Sequence, residues 1–167
     1  MTRTPFTLMA VLALGLVTVA AGARPAPEIG KAAPAFSLPV TKGAAHSLEQ
    51  YRGKWVVLEW TNYGCPYVNK HYNSGNIPGQ QKKWRDRGVV WLAVVSSAPG
   101  EQGHYAPPAM DAQTQRMGGN ASAVLLDPAG TVGRAYAAMT TPHMFVIDPT
   151  GKLVYMGGID DVPTPRE

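Results

Sequence analysis

Two almost uninterrupted apolar runs, Trp55–Thr61 and Val89–Val95, constrain this chain more than any other feature. Each is rich in β-branched and aromatic residues and short, so each reads as a strand covered on both faces, the kind found inside a parallel sheet. Between them, Cys65–Ser74 has helical composition with Pro66 in the first turn, where its missing N–H costs nothing, and Gly75 closes it. A second helix begins near Pro78 and runs through Trp84 to Gly88. Strand, helix and strand with no hairpin signal between them make a right-handed parallel crossover.

Downstream the pattern changes. Ser96–Ala106 is a Gly/Pro/Ser loop, Pro107–Met117 a helix closed by Gly118-Gly119, Val124–Leu126 a short strand and Thr131–Met139 a short helix. Met144–Ile147 and Lys152–Met156 are strands joined by Asp148-Pro149-Thr150-Gly151, a turn that folds them into an antiparallel hairpin. Upstream, Phe36–Leu38 reads as a short extended piece and Ser47 as the cap of a single helical turn ending at Tyr51. The predicted class is α/β in three layers. A central mixed sheet carries a parallel βαβ front half and a C-terminal antiparallel hairpin, with helices on both faces. Ile159–Glu167 holds two prolines and two adjacent acids and makes no closing helix. One face of the hairpin is therefore expected to lack cover, as in a domain truncated at its C-terminus.

Met1–Ala23 reads as an export signal, which assigns 24–167 to the folded domain and the chain to the periplasm or the extracellular space. Arg3 supplies the positive start, Phe6–Ala20 the apolar centre and Ala21-Gly22-Ala23 a small-x-small cleavage site. An uncleaved anchor is the competing reading, because the apolar stretch approaches the length of a bilayer span. Thr7, Thr18 and the Ala/Gly-rich end favour cleavage, and no later stretch is apolar enough for stable membrane insertion. With 45% hydrophobic and 16% charged residues, the chain is neither disordered nor fibrous. Its formal charge of +4 is mild, and the cluster Lys82-Lys83-Trp84-Arg85-Asp86-Arg87 is broken by an acid within a helical pattern. It reads as a solvated helix face, and no nucleic-acid partner is expected.

Chemistry converges on few residues. Cys65 is the single cysteine, so it has no partner for an internal disulfide. It follows a strand and a three-residue loop and opens a helix, where free N–H groups and the dipole favour a thiolate; the alternative is a buried, inert thiol. Glu59 interrupts an otherwise apolar strand six positions earlier. Burial would raise its pKa and let it exchange protons with a nearby thiol through a water, whereas a strand-end Glu would reach solvent or pair with Lys54. Thr141-Pro142, just before a strand, is a candidate cis peptide that would present the Thr141 backbone to whatever lies opposite. His143 next to it raises a Cys65–His143 metal site, but two ligands are too few and no metal is expected. His46, His71 and His104 read as solvated surface residues. Tyr63, Tyr67 and Tyr72 read as packing around the loop–helix corner.

Taken together, Cys65-Pro66 at a helix start, Glu59, Thr141-Pro142 before the hairpin and the lead Gly30-Lys31-Ala32-Ala33-Pro34-Ala35-Phe36-Ser37-Leu38 resemble a thioredoxin-fold redoxin. The likeness is to the exported TlpA-like and AhpC/TSA peroxiredoxin-like branch, over roughly Ile29–Asp161. It implies that Cys65 is the attacking cysteine, Glu59 a buried proton-handling carboxylate and Pro142 the cis-proline, with Thr141 offering backbone contacts to a substrate thiol. It also implies a closing helix, and a possible resolving cysteine, in a C-terminal continuation. The departures are specific. Val68 replaces the second cysteine of a Cys-x-x-Cys pair, Asn62 stands where a Thr or Ser is expected, and Thr140-Thr141-Pro142 lacks the usual arginine. Arg134 is the nearest upstream substitute, and Lys70 is a second cation that could favour the thiolate.

Two functions are compatible with this reading. In the first, Cys65 reacts with a peroxide or a protein disulfide and is restored by an external thiol, with no cofactor. In the second, the chain is a redox-silent module whose groove beside Pro142 holds a peptide or a metal such as copper.

Overall fold

The computed structural model describes residues 26–165. Met1–Ala23 lies outside them. A two-stranded antiparallel ribbon of β1 (Ser37–Leu38) and β2 (His46–Ser47) precedes a 3-10 turn at Glu49–Tyr51. Then follow β3 (Val56–Trp60), α1 (Pro66–Asn73), α2 (Asn76–Arg85), β4 (Val90–Val95), α3 (Pro107–Arg116), β5 (Ala123–Leu126), α4 (Thr131–Ala135), β6 (His143–Ile147) and β7 (Leu153–Gly157). The five longer strands form one sheet in the order β5-β4-β3-β6-β7. β3, β4 and β5 run parallel, whereas β6 is antiparallel to β3 and β7 to β6. This is a thioredoxin-like arrangement of the mixed sheet read from the sequence.

Several local expectations need correcting. Ser47 belongs to β2, and its N–H donates to Gln50 Oε1 across the turn it was expected to cap with its side chain. α2 begins two residues before Pro78, directly after Gly75, whose left-handed backbone (φ 74°) reverses the chain between α1 and α2. α4 is half the expected length, because Ala137 turns left-handed at φ 50°.

Alternation along the strands sorts the sheet into two faces. Val56, Leu58 and Trp60 of β3 join Leu92, Leu125, Phe145 and Leu153 on one face. That face is closed by Phe36 and Leu38 from the lead and by Val132 and Tyr136 from α4. The opposite face carries Val57, Glu59, Trp91, Ala93 and Met144, with α1, α2 and α3 over its β4–β5 side. Among the described residues no helix follows β7, and Tyr155 on the hairpin side of this face is 44% exposed. No helix among the described residues is long and apolar enough to cross a membrane.

Candidate functional site

The site forms where the parallel strands end and the loops before α1 and β6 meet. Cys65 caps α1 with an extended backbone (φ −79°, ψ 128°), and Pro66 takes the first helical position. The cap N–H reaches back to Asn62 O at 2.9 Å, while Asn69 N–H donates to Cys65 O at 3.0 Å. The side chain is half-buried, and Sγ lies 3.2 Å from the Thr141 carbonyl oxygen, which accepts from the thiol. Thr141-Pro142 is a cis peptide. Two residues 76 positions apart in sequence are thus in direct contact at the rim of the sheet.

Asn62 holds the loop that delivers the cysteine. Its Oδ1 accepts from Gly64 N–H at 2.8 Å and its Nδ2 donates to Gln102 O at 3.1 Å, tying the loop to the segment after β4. Its side chain also packs on Gly103, where a Cβ would lie 2.2 Å from Oδ1. Asn62 is therefore a clamp on the loop. A polar cleft of about 240 Å³ opens beside it between Ser96, Ser97 and Thr141.

Glu59 lies fully buried on the central strand, not at a strand end, and among the described residues it makes no ion pair with Lys54. Three donors converge on it. Tyr72 OH donates to Oε1 at 2.7 Å, and Gln81 Nε2 and Trp91 Nε1 donate to Oε2 at 2.9 and 2.7 Å. Gln81 Nε2 also donates to the Tyr72 oxygen at 3.2 Å. The cage therefore offers the carboxylate donors and no counter-charge. Burial pushes the carboxyl above its ordinary range, and the bonds from Tyr72, Trp91 and Gln81 pull it part of the way back. Thr61 Oγ1, two residues on along the same strand, is buried without a full hydrogen bond and adds a weaker favourable dipole. Burial first, and the neighbouring carboxylate second, push Tyr72 far above the ordinary phenol range, so it stays a donor.

The link between Glu59 and Cys65 is aromatic. Tyr72 meets Tyr63 edge-on at 5.3 Å, Tyr63 is anchored through its OH to Thr114, and Cys65 packs against the cluster they form with Val68. Tyr72, Gln81 and Trp91 were not singled out as site residues from the sequence. Trp91 carried a signal: in the parallel register Glu59 sits opposite Ala93, so Trp91 shares its face one diagonal away.

The other expected residues are placed elsewhere. Lys70 Nζ binds Asp160 at 2.8 Å and the Thr164 carbonyl at 3.3 Å, so this cation is engaged by the tail. Arg134 is exposed on α4, which packs on the far sheet face, and it makes no ion pair among the described residues. His143 also turns to that far face, tilted over Phe145 at 4.5 Å, and does not face the Cys65 cluster. No group of three or more His, Cys, Asp or Glu side chains able to hold a metal occurs among the described residues.

His71 is not a solvated surface residue. It is 3% exposed, with Nδ1 2.9 Å from Asn76 Nδ2 and Nε2 3.4 Å from Asp160. Burial, with Lys70 beside it, lowers its pKa against the opposing pull of Asp160. Val68, in place of a second cysteine, is fully buried in the core.

The model of the AhpC/TSA family matches residues 29–156. Among solved structures, an uncharacterized conserved protein from Geobacillus kaustophilus is 26% identical with a TM-score of 0.72, over 81% of this chain and 71% of that one. The thioredoxin domain of a thiol-disulfide oxidoreductase from Bacteroides vulgatus is 21% identical with a TM-score of 0.63, over 80% and 91%. A secreted Mycobacterium tuberculosis disulfide oxidoreductase is 19% identical with a TM-score of 0.55, over 71% and 79%. The last two likenesses speak for the fold. No curated protein matches the chain. The family match spans the lead, the cysteine loop, the Glu59 strand and the hairpin, and the chain belongs to the AhpC/TSA family.

Proposed function

We propose that the protein is an exported thiol oxidoreductase in which Cys65 is the sole nucleophile. One observation carries the reading: a half-exposed thiol at a helix N-terminus, its Sγ 3.2 Å from the carbonyl oxygen of Thr141, a residue that lines the polar cleft. With hydrogen peroxide, the Cys65 thiolate attacks one oxygen, the O–O bond breaks, and the sulfur is oxidised to a sulfenic acid as hydroxide leaves. An external thiol condenses with the sulfenic acid to a mixed disulfide and water, and a second thiol releases Cys65 as that pair becomes a disulfide. With a protein disulfide as oxidant, the thiolate enters the cycle directly at the mixed disulfide. In either route the resolving thiol lies outside these 167 residues, in which Cys65 is the single cysteine. Asn62 fixes the loop and Glu59 supplies a protonatable group behind the aromatic cluster.

A second reading, a redox-silent binding module, draws on Val68, whose burial fills with hydrocarbon the place of a second thiol. Intact-mass spectrometry of the reduced protein after one equivalent of hydrogen peroxide, with and without a sulfenic-acid trap, separates the two. Rapid stoichiometric trapping at Cys65 is the expected result. A thiol left unmodified by peroxide and by a disulfide substrate such as oxidised insulin would assign the fold to binding.

A further inference from the structure

The cage around Glu59 is closed to proton transfer on three sides. Gln81 Nε2 and Trp91 Nε1 are N–H donors with no lone pair to take a proton on. Tyr72 OH is engaged twice, donating to Glu59 Oε1 and accepting from Gln81 Nε2. Tyr63, next to it, turns its hydroxyl to Thr114, so the tyrosines place aromatic carbon between the carboxyl and Cys65, and no chain of hydroxyls among the described residues.

Thr61 stands on the fourth side. Its N–H donates to Val94 O at 2.9 Å, which continues the line of β3 and returns its side chain to the Glu59 face. It is 2% exposed, and its Oγ1 is buried without a full hydrogen bond. The same residue lines the polar cleft with Asn62, Ser96 and Thr141. Its neighbours there are committed: Asn62 uses both ends of its amide on the loop, and Ser96 Oγ donates to Asp127 at 2.8 Å while accepting from Trp60 Nε1 at 3.0 Å. Thr61 thus offers a free hydroxyl where the cage meets the cleft, and a hydroxyl can accept one proton while giving another. The cleft, about 240 Å³, has room for several waters at roughly 30 Å³ each, and it extends to Thr141, whose carbonyl holds the thiol.

We propose that Thr61 is the positioning residue through which Glu59 protonates the leaving oxygen of the peroxide, an inference that rests on the peroxide route above. The Cys65 thiolate attacks one oxygen, and the O–O bond breaks as the sulfenic acid forms. The departing hydroxide takes a proton from a cleft water, that water takes one from Thr61 Oγ1, and Thr61 takes one from the Glu59 carboxyl. One proton has then moved from Glu59 to hydroxide, which leaves as water. Glu59 regains from solvent the proton that Cys65 gave up on ionising, so thiol and peroxide become sulfenic acid and water. The burial that raises the Glu59 carboxyl suits it to this role of acid. Tyr63 and Tyr72 are the other titratable groups facing it, and burial keeps both phenols protonated.

The test compares two reactions of Cys65 in the full chain. Hydrogen peroxide expels hydroxide, which needs the proton, whereas iodoacetamide expels iodide, which does not. Thr61→Val keeps the branched shape and drops the hydroxyl. It should slow sulfenic-acid trapping about tenfold or more and leave alkylation unchanged, and Thr61→Ser should restore trapping. Glu59→Gln should slow trapping by the same factor, and Thr61→Val/Glu59→Gln by no more than either alone, because the two residues act in one path. The Thr61 variants decide the matter alone where Glu59→Gln fails to fold. Trapping at the wild-type rate in Thr61→Val, an equal loss of trapping and alkylation, a Thr61→Ser as slow as Thr61→Val, or losses that multiply in the double variant would each overturn the relay. A wild-type thiol that alkylates yet ignores peroxide would overturn the peroxide route and the relay with it. In the other four outcomes the wild type reacts with peroxide, which tells the two failures apart.

Discussion

The two faces of the central sheet are built from the same strands by strict alternation, yet they solve different problems. Leu58 and Glu59 are adjacent on β3 and both fully buried, one against hydrocarbon and one inside a cage of donors. The Leu58 face is sealed by the lead segment and α4, with Trp60, Tyr136 and Phe145 in mutual ring contact at 5.1–5.3 Å. The Glu59 face holds the polar cage and the cysteine cluster. Packing on the first face fixes the fold. The second carries the polar groups whose burial has a cost, and it is the face on which the proposed chemistry rests.

The largest effect is expected from Cys65→Ser, which should abolish sulfenic-acid trapping completely while leaving unfolding of the Leu58 face unchanged. Residual trapping in that variant would break the assignment of redox chemistry to the Glu59 face. Next come the two neighbouring truncations. Glu59→Ala removes the acceptor for Tyr72, Gln81 and Trp91 and opens a void, with an expected loss of about 3–5 kcal/mol in urea unfolding. Leu58→Ala should cost about 2–5 kcal/mol by cavity formation alone.

Size does not separate these two variants, but pH does. The folded protein holds the Glu59 proton more tightly than the unfolded chain, so this group's contribution is complete below the ordinary carboxylate value of 4.5. It is lost as pH rises through the raised folded value. Glu59→Gln, costing about 1–3 kcal/mol through a mismatched amide N–H, should remove that decline, whereas Leu58→Ala should shift the whole curve without changing its shape. A decline that survives in Glu59→Gln would locate the titrating group elsewhere.

Smaller still, Tyr72→Phe removes one donor at a cost of about 1–2 kcal/mol and pushes the Glu59 carboxyl further up, moving the decline to higher pH. Smallest is Lys70→Ala. It breaks a partly exposed pair with Asp160 and should change stability by about 0–1 kcal/mol, with peroxide trapping intact. A large loss of trapping there would return Lys70 to the site.

Much of this was legible in the sequence because it is written in local pattern. Strand identity followed from apolar runs, helix starts from Pro66 and Pro107, and the hairpin from Asp148–Gly151. Cys65 was readable as a helix cap, and Glu59 stood out as an ionisable residue in a strand otherwise buried. The two-residue strand β2 was not legible, because its pairing with β1 is set by partners eight and ten residues away and by no propensity of His46 or Ser47. The burial of His71 was hidden for the same reason: Asp160, which covers it, arrives from the far end of the chain.

The sequence by itself determined the order and type of the elements, and it marked the one thiol, because dihedral preference, capping and periodicity act within a few residues. Only the tertiary structure decided which donors surround Glu59, that Cys65 faces Thr141, and that Lys70 is held by the tail away from the thiol. Those outcomes depend on pairing and packing between segments distant in the chain. Composition and spacing carry no term for that.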